Sequence, residues 1–293
     1  MKEQTNNNSR RKFLQKSAVA SAAMMSGSWA AFSNQNNMST EETANNVIPN
    51  GPIKTKGYAA TDESGKLSPW EFERRPVGDD DILIDIKYAS ICHSDIHQEK
   101  GHWGEQKYPQ VPGHEIVGVV AAVGKNVTKF KVGDRAGVGC MVDSCMECDS
   151  CNAGEEHFCD RGETKFTYGA PSEAEPTGIT QGGYSNKLVV RDHFAVRVPD
   201  HISFEEAAPL LCAGITTYSA LMRAQFKVGD KVGVAGIGGL GHLAVKIAVS
   251  KGAKVYAFTT SEDKVEDIKS WGVEEVIVVD DEFKNMGAYN KTL

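Results

Sequence analysis

The rhythm of apolar positions changes once along this 293-residue chain, close to Pro199. Upstream, from residue 53 to about 200, apolar residues come in short runs punctuated by Gly, Pro and Asp, which predicts a β-rich domain. Residues 82–88, ILIDIKY, end in the alternation of a strand with one exposed face. Residues 116–123 form a second β-branched run with Gly118 inside it, and Gly133-Asp134 marks a turn within 127–138. Residues 188–190 and 195–198 add two short strands. Downstream, residues 204–208 open a helical region, and 231–235 read as a buried strand running into a cluster of glycines. Residues 242–250 have helical composition, 254–258 read as a second strand, 262–271 as a helix and 275–279 as a third strand. Strand–helix–strand–helix–strand order predicts a parallel sheet.

The first 52 residues follow neither rhythm. Ser9-Arg10-Arg11-Lys12-Phe13-Leu14 precedes an Ala/Ser/Met-rich stretch over 18–32 and a small-residue site at 31–33. That order predicts a signal peptide of the twin-arginine type over 1–33, and so an exported or periplasmic protein. The alternative is an arginine pair before a tail on a cytoplasmic protein. Residues 34–52, polar and Asn-rich, read as a flexible connector. Composition adds exclusions: a net charge of −7 argues against a nucleic-acid footprint. No apolar run reaches the ~20 residues a membrane span needs.

Cysteine spacing carries the chemistry. Cys145, Cys148, Cys151 and Cys159 follow C-x2-C-x2-C-x7-C among small polar residues. Four thiolates close a tetrahedral zinc site, which makes this cluster a structural zinc site; a disulfide staple and an iron–sulfur site are the alternatives. Cys92, His114 and Cys212 lie far apart, as ligands do when folding gathers them. Two thiolates and an imidazole leave a fourth position open, as a catalytic zinc requires. Two zinc ions per chain are therefore expected. Cys140 is left over and reads as a small buried apolar residue. Zinc-loaded thiols would also suit export in the folded state, since free thiols would pair in an oxidising compartment.

Gly236-Ile237-Gly238-Gly239-Leu240-Gly241 sits where a strand gives way to a helix. There the backbone approaches a pyrophosphate and the helix amides meet its charge. At the end of the second strand, where a carboxylate would hold an adenosine ribose diol, the chain has Thr259-Thr260-Ser261 followed by Lys264. Hydroxyls and an ammonium receive a 2′-phosphate, so NADP is favoured over NAD.

With these motifs in place, the sequence resembles the zinc-containing medium-chain alcohol dehydrogenases, in particular the cinnamyl-alcohol-dehydrogenase-like aldehyde reductases. The resemblance rests on residues 92–97 (CHSDIH), on Gly113-His114-Glu115 with Gly118, Gly124 and Val127, on the four-cysteine loop and on residues 211–218 (LCAGITTY). It implies a GroES-like zinc-binding catalytic domain over 53–203 and an incomplete Rossmann domain, first half only, over 204–293. It implies catalytic zinc on Cys92, His114 and Cys212, with Glu115 next to the metal as an occasional or displaced ligand. Ser94 and His97 would form a proton relay, Asp95 would orient His114, His93 would approach the pyrophosphate and Trp103 would line the substrate pocket. His157 and His193 have no motif around them and read as structural.

The implied function is hydride transfer between NADP(H) and a primary alcohol/aldehyde pair, with a small-molecule substrate. Relatives have three further strands, which supply nicotinamide contacts and the surface of a homodimer. Without them the expectation is a truncated chain whose first nucleotide-domain strand is an exposed edge. The alternative function is then a non-catalytic zinc-binding remnant.

Overall fold

The computed structural model describes residues 46–279. The signal-peptide reading and the C-terminal residues 280–293 lie outside the described residues. Two hairpin strands, β1 (Ile53–Ala60) and β2 (Leu67–Arg74), lead into the long β3 (Asp81–Ala89). A short helix α1 (His93–Glu99) follows, then β4 (Ile116–Val123), β5 (Arg135–Val138) and β6 (Met141–Asp143). A one-turn helix α2 (Asp149–Asn152), β7 (Lys165–Phe166), β8 (Lys187–Arg191) and β9 (Ala195–Arg197) complete the β-rich part. After α3 (Phe204–Ala207) come α4 (Ala213–Arg223), β10 (Lys231–Ala235), α5 (Gly239–Ser250), β11 (Lys254–Thr259), α6 (Val265–Ser270) and β12 (Glu275–Val278).

Five antiparallel strands in the order β8-β3-β4-β5-β9 make the main sheet. Ile82 and Ile84 of β3, Ile116 and Val120 of β4, Val138 of β5, and Leu188 and Val190 of β8 share one core with Phe130. These are the positions the sequence rhythm marks as apolar. Gly118 has a steric duty here: a Cβ on it would lie 2.2 Å from the Asp85 carbonyl oxygen, at a stretch where the β3–β4 register shifts. Only glycine lets the two backbones approach so closely. β2 is harder to read from sequence. Ser68, Glu71 and Glu73 give it a polar look and Pro69 interrupts it, while burial is confined to Phe72 and Arg74.

The second part is the expected parallel sheet, in the order β10-β11-β12. Val234, Val255 and Ala257 from the strands meet Val245 and Ala248 of α5 and Ile268 of α6. The helix expected over 262–271 divides into a 3-10 turn, Glu262–Lys264, and α6. One expectation needs correcting. β10 was read from its composition as a buried strand, yet only Val234 of its five residues is buried. Among the described residues β10 pairs with β11 alone, and Lys231, Gly233 and Ala235 are exposed. Ser203 starts α3 with a capping box: its hydroxyl accepts from the Glu206 amide at 3.2 Å, and the Glu206 carboxylate accepts from the Ser203 amide at 3.2 Å.

Candidate active site

α1 begins at Cys92, whose amide donates to Asp95 Oδ2 at 2.9 Å, so the third residue of the helix caps its own first turn. The same carboxylate reaches sideways. Asp95 Oδ1 stands 2.8 Å from His114 Nδ1 and accepts from the Gly113 amide at 3.1 Å. Its Oδ2 also accepts from the Tyr184 hydroxyl at 2.8 Å. Four donors around one buried carboxylate fix the His114 ring with Nδ1 engaged and Nε2 left for another partner. Those partners are thiols: the ligand atoms of Cys92, His114 and Cys212 lie within 4.8 Å of one another, and all three residues are buried. Cys212 arrives from the end of a 3-10 turn, Ala208–Leu211, immediately before α4.

The donor set suits a zinc ion. Cys92 Sγ and Cys212 Sγ are 4.0 Å apart. Two sulfurs on one tetrahedral zinc at ~2.3 Å each would stand ~3.8 Å apart. The field suits a cation as well. Burial would lower the His114 pKa, but the Asp95 and Cys212 hydrogen bonds and charges outweigh it and push it up to about 11. A metal ion would take the neutral imidazole and thiolates, so zinc binding here would release protons from the site.

Glu115, expected as an occasional ligand, stays outside the trio. It is buried, and its two oxygens are already engaged: Oε1 accepts from the Ala213 amide at 3.1 Å and Oε2 from the Ser90 hydroxyl. It ties the start of α4 to the end of β3 instead. Cys140 also departs from expectation. It is half-buried, not a buried apolar filler, and shares a cavity wall with Cys212. A hydrogen bond with Cys212 lowers its pKa against the opposing effect of burial.

The four-cysteine loop closes on itself. Cys145 Sγ and Cys151 Sγ are 3.7 Å apart, Cys148 Sγ and Cys159 Sγ 3.9 Å, and all four sulfurs fall within 4.8 Å of one another. A disulfide would bring a pair to ~2.05 Å, so the staple reading fails and a tetrahedral metal cage fits. Backbone amides of Glu147 and Cys148 point at Cys145 Sγ at 3.4 and 3.3 Å, and that of Asp160 at Cys148 Sγ at 3.3 Å. Backbone amides, that of Cys145 foremost, hold the Cys159 thiol down at about 6. His193 and His157 pair with Glu156 (2.6 Å) and Glu155 (3.0 Å) of this lobe, consistent with structural roles.

A cavity of about 780 Å³ opens onto His114 and Cys212. Trp103, Phe166, Tyr168 and Pro171 supply apolar wall, and Ser94 and Gln98 supply polar groups. The Ser94 hydroxyl lies 3.6 Å from Cys92 Sγ. Three residues on along α1, the His97 ring makes tilted contacts with His93 and Trp103, at centroid distances of 5.2 and 5.4 Å, and its Nδ1 is 2.9 Å from His102 Nδ1. Tyr168, Tyr184 and His102 escaped the sequence reading. Tyr168 places its hydroxyl 2.8 Å from His114 Nδ1 from a position 54 residues away, a partnership no local pattern announces.

The glycine turn is also shaped for a ligand. Gly236 has φ +83°, which favours glycine, and Cβ atoms on Gly238 and Gly239 would meet nothing within 4 Å. Gly236 and Gly238 line a cleft of about 340 Å³ with Thr260, Ser261 and Lys264, whose ammonium donates to the Ile237 carbonyl at 3.3 Å. Gly239, Leu240 and Gly241 form the first turn of α5 behind it. Open glycines at a helix N-terminus fit a dinucleotide pyrophosphate.

A GroES-like β-domain carrying a two-thiol, one-imidazole site, followed by the first half of a Rossmann fold, defines a medium-chain dehydrogenase. Comparison with known proteins agrees. The alcohol dehydrogenase GroES-like domain family matches residues 78–200. An NADP-dependent alcohol dehydrogenase C of Mycolicibacterium smegmatis is 52% identical over 211 residues, covering 72% of this chain and 60% of that protein. A Helicobacter pylori CAD structure complexed with NADP(H) superposes with TM-score 0.75 at 46% identity, over 78% of this chain and 65% of the other. A Sorghum bicolor cinnamyl alcohol dehydrogenase structure gives TM-score 0.75 at 44% identity, over 80% and 67%. The chain belongs to the medium-chain alcohol dehydrogenase family, in its cinnamyl-alcohol-dehydrogenase-like branch. It spans about 59–65% of the length of the curated relatives it matches.

Proposed function

We propose that the protein is a zinc- and NADP-dependent alcohol dehydrogenase, acting chiefly as a reductase of aromatic and aliphatic aldehydes. The observation that carries this reading is the aromatic-walled cavity that opens onto His114 and Cys212. Zinc on Cys92, His114 and Cys212 would supply a Lewis acid for the substrate oxygen, and the nicotinamide of NADP(H) would supply or accept the hydride. A second zinc would sit on Cys145, Cys148, Cys151 and Cys159. The chain's own residues do the rest. Trp103, Phe166 and Tyr168 offer apolar wall to the carbon skeleton of the substrate. Ser94 and His97, three apart on α1 and so on one face, pass the proton that the product oxygen needs, and His102 stands beside His97 on the solvent side. His93 and the turn from Gly236 to Gly241 receive the pyrophosphate.

NADPH oxidation with aromatic and aliphatic aldehydes, by protein whose two zinc ions have been counted first, tests the proposal. No turnover by folded, two-zinc protein would favour the non-catalytic zinc-binding alternative. Thr260, Ser261 and Lys264 support NADP as the cofactor. A hydrogen bond to a charged group contributes about 1.5–3 kcal/mol. Lys264→Ala should therefore weaken NADPH binding roughly 10- to 100-fold and leave NADH binding nearly unchanged, by fluorescence titration. Equal losses for both would remove Lys264 from the 2′-phosphate site. The twin-arginine segment supports export; cytosolic protein that retains residues 1–33 would refute it.

A further inference from the structure

The loop at residues 181–185 takes no part in the chemistry above, yet it is built against the Cys92–His114–Cys212 site. The Gly182 amide donates to the Val111 carbonyl at 2.7 Å, Gly183 to Gly113 at 2.8 Å and Tyr184 to Pro112 at 3.0 Å. The loop thus runs along the three residues that precede His114. Tyr184 then covers Gly113, where a Cβ would lie 2.7 Å from its ring, and sends its hydroxyl to Asp95 Oδ2. From the other side the loop is held by Arg74, an almost fully buried guanidinium. It donates to the Gln181 carbonyl at 2.7 Å, the Gly182 carbonyl at 2.8 Å and the Ser185 hydroxyl at 2.9 Å. Burial lowers the Arg74 pKa to about 10, which leaves the group charged at neutral pH. Burial and the Asp95 charge push the Tyr184 pKa up, so its hydroxyl keeps its proton and remains a donor.

We propose that Tyr184, held in place by Arg74, is a positioning residue that sets how tightly the Cys92–His114–Cys212 site retains zinc. The proposal rests on the zinc reading of that site. Tyr184 and the Cys92 amide together pin Oδ2 of Asp95, which keeps Oδ1 on His114 Nδ1 and the other ring nitrogen presented to the metal. Partners behind a metal-ligating histidine typically change metal affinity ~10–100-fold when removed. Tyr184 acts one bond further out, so the lower end is expected.

Tyr184→Phe keeps the ring over Gly113 and removes only the hydroxyl. Its zinc affinity, by chelator competition, should fall about 10-fold at the Cys92–His114–Cys212 site and stay unchanged at the four-cysteine site, which serves as an internal check on folding. Cobalt substitution separates the two sites spectroscopically, and only the band of the two-thiolate site should weaken. Tyr108→Phe deletes a comparable hydroxyl, bonded to the Glu99 carbonyl at 2.8 Å, and should leave both sites as in the wild type. An affinity for Tyr184→Phe within twofold of wild type, tighter binding, or equal losses at both sites would overturn the proposal. If the wild-type protein itself takes metal only on the four cysteines, the zinc reading of the other site fails and the proposal falls with it.

Discussion

Cys151→Ser is expected to remove one of two zinc equivalents and to unfold the lobe around it while the rest of the β-domain stays folded. The reason is what the lobe lacks. Between Ser144 and Thr164 the buried residues are Ser144, Cys151, Glu156 and Cys159. No buried aliphatic or aromatic side chain lies among them, and Phe158 is largely exposed. The one-turn helix contributes only Cys151 to the buried set, and Val142 of β6 packs on the core of the main sheet. On the zinc reading proposed above, metal–thiolate bonds would supply what a core supplies elsewhere. In isolated zinc-finger peptides such bonds give about 10–16 kcal/mol of apparent binding free energy, which is also their folding free energy. Serine at position 151 replaces one thiolate of four with a poor zinc ligand. Native mass spectrometry should show one zinc lost, and limited proteolysis should cut within 144–164 while sparing the main sheet. A variant that keeps both metals and resists cleavage would show that the lobe does not depend on a four-thiolate cage.

That lobe is also the part of the site most legible in the sequence, because its ligands are contiguous. The other site joins Cys92 to Cys212, 120 positions apart, and spacing alone does not unite them. What made them legible is the family resemblance carried by the stretch around each: residues 92–97 (CHSDIH), Gly113-His114-Glu115 and residues 211–218 (LCAGITTY). The groups that hold these ligands were not legible. Tyr184 meets Asp95 across 89 positions, and Arg74 meets the 181–182 carbonyls across more than 100. Each looks like an ordinary aromatic or cation in its own segment; only tertiary packing gives it a partner. Glu115 is the converse case. The family resemblance puts it next to the metal, whereas in the structure its carboxylate accepts from the Ser90 hydroxyl and the Ala213 amide, partners 25 and 98 positions away. β10 was misjudged for a related reason: an apolar strand announces that it is a strand, whereas its burial depends on neighbours.

Gly241→Ala should have the second large effect, and its contrast with Gly238→Ala separates folding from ligand binding within one motif. The two glycines are three residues apart but meet different things. A Cβ on Gly241 would lie 2.1 Å from the Gly236 carbonyl oxygen, closer than any real contact and against backbone that cannot swing aside. Either α5 moves off the turn or the turn opens. The first option separates Val245 and Ala248 from Val234 and Val255, the core of this half. Overpacking of this kind costs about 1–3 kcal/mol. In a domain of 60–100 residues each kcal/mol lowers the melting midpoint by roughly 4–8 °C. The second option displaces the amides at the start of α5 and with them the anion site. Gly241→Ala should thus lose both thermal stability of the nucleotide-binding half and NADPH binding. Gly238 is different: a Cβ there meets no protein atom within 4 Å. Gly238→Ala should melt like the wild type and lose affinity for NADPH alone, because a side chain there obstructs only what approaches from outside. Calorimetry and fluorescence titration of the two variants decide the matter. Normal NADPH binding by Gly238→Ala would remove that glycine from the pyrophosphate site, and normal melting of Gly241→Ala would show that α5 does not pack on the turn as closely as 2.1 Å implies.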